Sequence, residues 1–149
     1  MVTQASVPMA VQVSGLIVPL PEPIIDRIFH HHDVYAQMEP GTESLKVGSR
    51  LFFYDTKDSK ALIGEAVIAR IAMEELERVK QYGDRLFLSP DEFDQYSRNH
   101  GMTPKARVLV MEVRDAVKYV NPMKCPVTIP STGLEMTPEL HQKIATANR

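Results

Sequence analysis

The sequence predicts an α+β fold in which a mixed β-sheet curls into a small barrel with short helices packed around it. Two observations point there. The elements run strand, helix, strand cluster, two short helices, strands and a terminal helix, an order that suits one mixed sheet covered by helices. No internal repeat, heptad or low-complexity tract suggests a solenoid or coiled coil instead. At 149 residues the chain is most simply one domain. Such a domain is large enough to bury roughly 70% of its unfolded surface. Residues 1–10 ("MVTQASVPMA") read as a flexible leader and 11–149 as the domain.

Val11–Val18 is β-rich and stopped by Pro19 and Pro21, the mark of a strand. From Glu22 to about His31, the residues Ile24, Ile25, Ile28 and Phe29 recur at helical spacing behind a proline suited to the first turn. Asp33–Met38 then alternates, which would bury Val34, Ala36 and Met38 and turn Asp33, Tyr35 and Gln37 toward solvent or a cavity. Leu51–Tyr54 is apolar on both faces, as in a central strand. Leu62–Met73 is long enough to need a bend or bulge, expected at Gly64.

A short helix is expected over Glu74–Tyr82, closed by Gly83. The next one carries Ser89 as its cap, Pro90 at its first position, acids in its first turn and Gly101 beyond its end. Arg107–Val113 is a buried strand. The prolines of "VNPMKCPVTIPSTG" confine that stretch to an edge or a wrapping loop. Thr137 caps the last helix.

A formal charge of −2 and a pI near 6.2 give no global basic field, so nucleic-acid binding would need a local patch. The single Cys125 excludes an intrachain disulfide and a cysteine-built zinc site, and suits a reducing, cytoplasmic compartment. The longest apolar run is far shorter than the roughly 20 residues that span a bilayer, and no signal-peptide pattern begins the chain. No membrane partner is expected. No Gly-rich phosphate loop, GxSxG elbow or HExxH occurs, which weighs against the enzyme classes those motifs mark.

The conspicuous stretch is "RIFHHHDVYAQM", Arg27 to Met38. Adjacent histidines point apart, so at most His30 and His32 converge on one ion, and only in extended backbone. No metal and no cofactor is therefore expected. The polar face Asp33, Tyr35, Gln37 is the stronger binding signal, because a tyrosine stacks on bases and a carboxamide reads base edges. His31 joins it at the corner, and Tyr54 and Lys60 are further ligand-contacting candidates.

Glu65, grouped with Ile63, Val67 and Ile71, is a carboxylate among branched apolar side chains. It would act as an acid or base only beside a partner such as His32 or Lys60. Gly64 next to it allows close approach of a ligand or another strand. Glu112 in "VMEVR" has the same ambiguity. Ser131 and Thr132 open a hydroxyl-rich turn with Gly133, able to hold a phosphate if its backbone N–H groups are free. Lysines and arginines near the first hairpin and along the later strands are available for phosphate contacts.

The phrases "KVGSRLFFY", "LIGEAVIARI", "YGDRLFLSPDEF" and "PSTGLEMTPE" resemble the PUA-like superfamily, and within it a chiefly archaeal family related to ASCH and EVE domains. The likeness covers roughly Val13 to Glu139. It implies a pseudobarrel with a helix between the first two strands, and recognition of RNA or a modified nucleobase in a cleft. For some ASCH proteins it implies hydrolysis of acylated nucleosides or of RNA, which here would fall to His32 and Glu65. Where the ASCH pattern sets Gly-x-Lys-x-x-Glu, this sequence has His30, His32 and Tyr35 at the three defined positions.

Overall fold

The computed structural model describes residues 15–38, 45–99, 101–131 and 133–148. The proposed leader, the first residues of the opening strand and Thr132 lie outside the described residues. The elements are β1 (Gly15–Leu20), α1 (Glu22–Phe29), β2 (Val34–Met38), β3 (Arg50–Asp55), β4 (Leu62–Glu75), α2 (Leu76–Val79), α3 (Pro90–Asn99), β5 (Arg107–Met123), β6 (Leu134–Met136) and α4 (Pro138–Ala147). A 3₁₀ turn, Lys80–Arg85, comes after α2. The strands form one curled, mixed, half-barrel sheet in the order β2-β5-β4-β3-β1-β6, in which, among the described residues, only the β1–β3 pair of strands runs parallel.

Alternation along the strands separates two cores. Leu16, Val18, Leu51 and Phe53 face the inner one, with Ile25 and Ile28 of α1, Phe93 of α3, and Leu86 and Phe87. Ile17 and Phe52 face the outer one, with Met136 of β6 and Leu140 and Ile144 of α4. Each fully buried side chain of this size contributes about 1.5–3 kcal/mol relative to exposure.

α1 has no side-chain cap of its own, because its N-cap residue is Pro21. Its first free N–H, that of Glu22, donates instead to Asp55 Oδ1 at 3.2 Å, across the chain from the end of β3. The same carboxylate accepts from the Lys57, Asp58 and Ser59 N–H groups at 2.9, 3.3 and 2.8 Å and from the Ser59 hydroxyl at 3.0 Å. Burial alone would raise its pKa. The backbone donors of Lys57, Ser59 and Asp58 outweigh that and hold it below the ordinary value.

α3 starts with a capping box, in which Ser89 N–H donates to Glu92 Oε1 at 2.8 Å and Glu92 N–H to Ser89 Oγ at 3.3 Å. Arg27 of α1 holds the same carboxylate through both terminal nitrogens, at 2.5 and 3.0 Å. The guanidinium, helped by the Ser89 N–H, pulls Glu92 down to about 2. α4 is capped as expected, its Thr137 Oγ1 accepting from Leu140 N–H at 3.1 Å.

Three expectations change. The Glu74–Tyr82 segment is only partly helical, because Glu74 and Glu75 still pair with Val108 and Arg107 and Leu76 N–H donates to Ala106 O at 2.8 Å. The bulge lies at Ile63 rather than Gly64: Tyr54 pairs with Leu62 and Phe53 with Gly64, which leaves Ile63 as the extra residue. Finally, β5 runs on to Met123. Beyond Arg114 it pairs with β4 on one side. Its other edge carries no strand among the described residues, and Lys118 Nζ there lies 3.9 Å from Asp26 of α1. Pro122 sits within this one-sided half.

Candidate functional site

β2 lines the inner core. Val34 and Ala36 are buried as expected, but Tyr35 and Gln37 are only 5% and 6% exposed. The physical reason is a segment that local alternation does not reveal. Leu86 forms a parallel bridge with Val34, and Phe87 N–H donates to Val34 O at 2.9 Å. The Phe87 ring then meets Tyr35 edge-on, with centroids 4.7 Å apart. The Tyr35 hydroxyl donates to Gln37 Oε1. Burial, and secondarily the nearby Tyr96, raise the Tyr35 pKa well above its ordinary value, so the phenol is a neutral donor. The interior of the half-barrel thus holds a hydroxyl and a carboxamide side by side among apolar groups.

The three histidines diverge at the corner above. His30 Nδ1 lies 2.8 Å from Asp26 O, back along α1. His31 is exposed with φ +84°, a left-handed position that turns the chain from helix into strand. His32 Nδ1 lies 2.9 Å from Leu86 O, on the segment that covers β2. Among the described residues no three His, Cys, Asp or Glu side chains are grouped to hold a metal ion.

Asp33 is part of an ion-pair network. Arg85 grips it through Nε at 2.9 Å and Nη2 at 3.2 Å, and its Nη2 also reaches Glu112 Oε1 at 2.8 Å. Arg70 continues the chain of charges to Glu112 at 3.0 Å and to the Tyr82 hydroxyl at 2.9 Å, and that hydroxyl donates to Glu74 at 2.5 Å. Arg85, then burial and Arg70 in opposite senses, leave the Glu112 carboxyl below its usual range. The ambiguity of Glu112 ends here, since it is a junction between two arginines. The network fastens β2, β4 and β5 to the 3₁₀ turn.

Glu65 belongs to the other side of the sheet. The bulge at Ile63 sets it opposite Phe52, on the outer face, whereas Ile63 belongs to the inner core and Ile71 packs against it. Its carboxylate receives Arg50 Nη1 at 2.5 Å and the Tyr119 hydroxyl at 2.8 Å. Burial and then this hydrogen bond push the Tyr119 phenol up. His32 and Glu65 therefore engage different partners on different faces. Gly64 does serve a close approach, but to α1: a Cβ there would lie 2.4 Å from Phe29 Cζ and 2.6 Å from Val117 O.

The remaining candidates are dispersed. Tyr54 packs against the outer core, Lys60 is exposed at φ +52° in the β3–β4 turn, and Ser131 is exposed. The Gly133 N–H donates to Pro130 O at 2.9 Å, so that turn closes on itself. Burial raises the Cys125 thiol. Sequence reasoning missed Arg85 and Phe87. Their signal was the apolar "LFL" run in "YGDRLFLSP", which was legible as buried but not as the cover of β2.

An inner core lined by α1, β2 and β5, with the helix inserted between the first two strands, defines an ASCH- and PUA-like half-barrel. Two solved structures share it. The ASCH protein from Zymomonas mobilis superposes with a TM-score of 0.72 at 16% identity, over 91% of this chain and 96% of that one. The N-terminal domain of McrB from Staphylothermus marinus gives 0.55 at 18% identity, over 90% and 93%. The chain belongs to the family described as a domain of unknown function, DUF365, whose model matches residues 13–137. No curated protein matches its sequence.

Proposed function

We propose that this protein binds RNA or a modified nucleobase, with Tyr35 and Gln37 reading the base inside the half-barrel and His31 at the mouth. The observation that carries the proposal is the hydroxyl–carboxamide pair buried in an otherwise apolar interior. Burying such groups costs free energy unless their hydrogen bonds are used. With the phenol proton held by Gln37 Oε1, the carboxamide N–H groups are the donors and the remaining oxygen lone pairs the acceptors that a base edge would meet. Phe87 supplies an aromatic edge against the same pair. The half-barrel shared with the ASCH protein and the McrB domain supports the choice of class. A single cysteine, with no second one in the sequence to form an intrachain disulfide, suits a cytoplasmic setting.

The test is calorimetric titration with a panel of free modified nucleosides and short structured RNAs. Gln37→Leu and Tyr35→Phe keep volume and remove the hydrogen bonds. Each is expected to weaken binding about tenfold, equivalent to about 1.4 kcal/mol. No binding by wild type, or equal binding by both variants, refutes the proposal. The alternative, an ASCH-like hydrolase of acylated nucleosides or RNA using His32 and Glu65, lacks a shared site for its two groups. Incubation with acylated cytidine is expected to give no turnover; turnover abolished by His32→Ala and Glu65→Gln would establish the enzyme instead.

A further inference from the structure

The inner core holds a buried polar group that no neighbour satisfies. Gln37 is 6% exposed, and its Oε1 accepts the Tyr35 phenol proton. Its Nε2 carries two N–H donors, and among the described residues nothing accepts from them. The pairing register gives the reason. Gln37 lies opposite Leu109 and Tyr35 opposite Met111, with Met73 and Ile71 next on β4, so the face they share is apolar. The Phe87 ring, edge-on to Tyr35, offers no acceptor either. A buried donor left without a partner costs free energy, and native interiors rarely keep one.

The pair also has a fixed sense. The phenol is neutral, and in an apolar wall its proton goes to Oε1. Turning the carboxamide over would set an N–H against the phenol oxygen and take the acceptor away from the phenol proton. Oε1 is therefore held toward Tyr35, and the NH2 group points away from it. One Oε1 lone pair is spent and both N–H donors are not. What the pair presents to a ligand is rich in donors.

A nucleoside enters such a site in a definite order. Its sugar is bulky and polar and stays toward solvent, so the exocyclic group farthest from the sugar goes deepest. A carbonyl oxygen at that place brings lone pairs to the N–H donors. An exocyclic amine brings N–H against N–H.

We infer that Gln37 makes the site selective for oxo bases, of the uracil and hypoxanthine type, over the corresponding amino bases, cytosine and adenine. Tyr35 is the positioning residue that holds the carboxamide in the selective sense. This rests on the Tyr35–Gln37 reading above and names the class of base that the pair accepts.

Uridine with cytidine, and inosine with adenosine, are two pairs that differ only on this edge. Each nucleoside is titrated calorimetrically into the protein, with hexauridylate and hexacytidylate run alongside. Uridine and inosine should bind at least about tenfold more tightly than their amino partners, and hexauridylate more tightly than hexacytidylate. Gln37→Leu should bring these ratios close to one. Gln37→Glu puts an acceptor where the NH2 group was, and should turn the preference toward cytidine, whose amine a carboxylate accepts. Tyr35→Phe should shrink the ratios more than it weakens the tighter ligand, because the freed carboxamide can turn over.

The wild-type ratios need no substitution and so do not depend on how well a variant folds. Equal binding within the pairs, or tighter binding of the amino partners, overturns the inference. If Tyr35→Phe and Gln37→Leu still weaken that unselective binding, the nucleobase reading stands without it. A preference that survives Gln37→Leu overturns the role of Gln37, and ratios unmoved by Tyr35→Phe overturn that of Tyr35. Absence of binding by every nucleoside and hexamer overturns both the selectivity and the reading beneath it.

Discussion

Replacing Asp55 by alanine removes one carboxylate from the junction of two elements, the β3–β4 turn and the start of α1. Five hydrogen bonds end on it, four from backbone N–H groups and one from the Ser59 hydroxyl. A buried donor left unsatisfied costs about 1–3 kcal/mol. Lys57, Asp58 and Ser59 are exposed residues, so water reaches part of the turn, and the low end of that range applies to their N–H groups. Adding the lost favourable interaction with the α1 N-terminus, the total is about 3–4 kcal/mol. Asparagine keeps the shape and one acceptor oxygen and should cost about 2 kcal/mol, since its amide cannot accept from the second set of donors.

Urea unfolding monitored by circular dichroism measures both variants, with an unchanged m-value as the check on two-state behaviour. An alanine variant within about 1 kcal/mol of wild type refutes the reasoning, because the turn would then satisfy its donors without the carboxylate. The pH dependence carries a sign. The folded pKa of Asp55 lies below its ordinary value, so the carboxylate contributes full stability above the unfolded pKa and loses it as pH falls through the folded one. The gap between wild type and Asp55→Asn should therefore close in acid. A gap that widens there contradicts the depressed pKa.

Two further outcomes are expected. Gly64→Ala should destabilise by about 2 kcal/mol or more, since its Cβ would meet the Val117 carbonyl at 2.6 Å and the backbone cannot move aside as a side chain does. A melting temperature equal to wild type would mean that the α1–β4 contact has slack. A double-mutant cycle with Arg27→Met and Glu92→Gln should give about 1 kcal/mol near neutral pH, discounted because both groups are about a third exposed. That coupling should vanish as pH falls from the ordinary carboxylate range toward about 2, and a coupling constant with pH contradicts the assignment.

Much of the fold is written locally. β1, α1 and β3 are set by periodicity and prolines, and both the Ser89 box and the Thr137 cap are single-residue signals with one geometric meaning. What the sequence hides is non-local. The burial of Tyr35 depends on Phe87, 52 positions along the chain. The face of Glu65 depends on a one-residue bulge at Ile63, which exchanges inward and outward for the next stretch of β4 without disturbing the apolar pattern. The three residues of β6 are too few for any period. That His32 and Glu65 take different hydrogen-bond partners was hidden for the same reason as the Glu65 face, while the Tyr35–Gln37 contact was legible because residues two apart on a strand share a face.

The one-sided half of β5 has a consequence for how the molecule behaves in a crowd. Val117 and Val120 are 54% and 95% exposed there, on a strand whose second edge carries no partner among the described residues and would template a second chain. Three residues interrupt it. Asp115 takes φ +53° and twists the edge, Lys118 sets a charge on it, and Pro122 offers no N–H. Together they leave the edge with no run of free donors for an incoming strand to match. The stretch from Arg114 to Met123 is therefore where replacement of these three residues is expected first to promote strand pairing between copies, read as concentration-dependent aggregation.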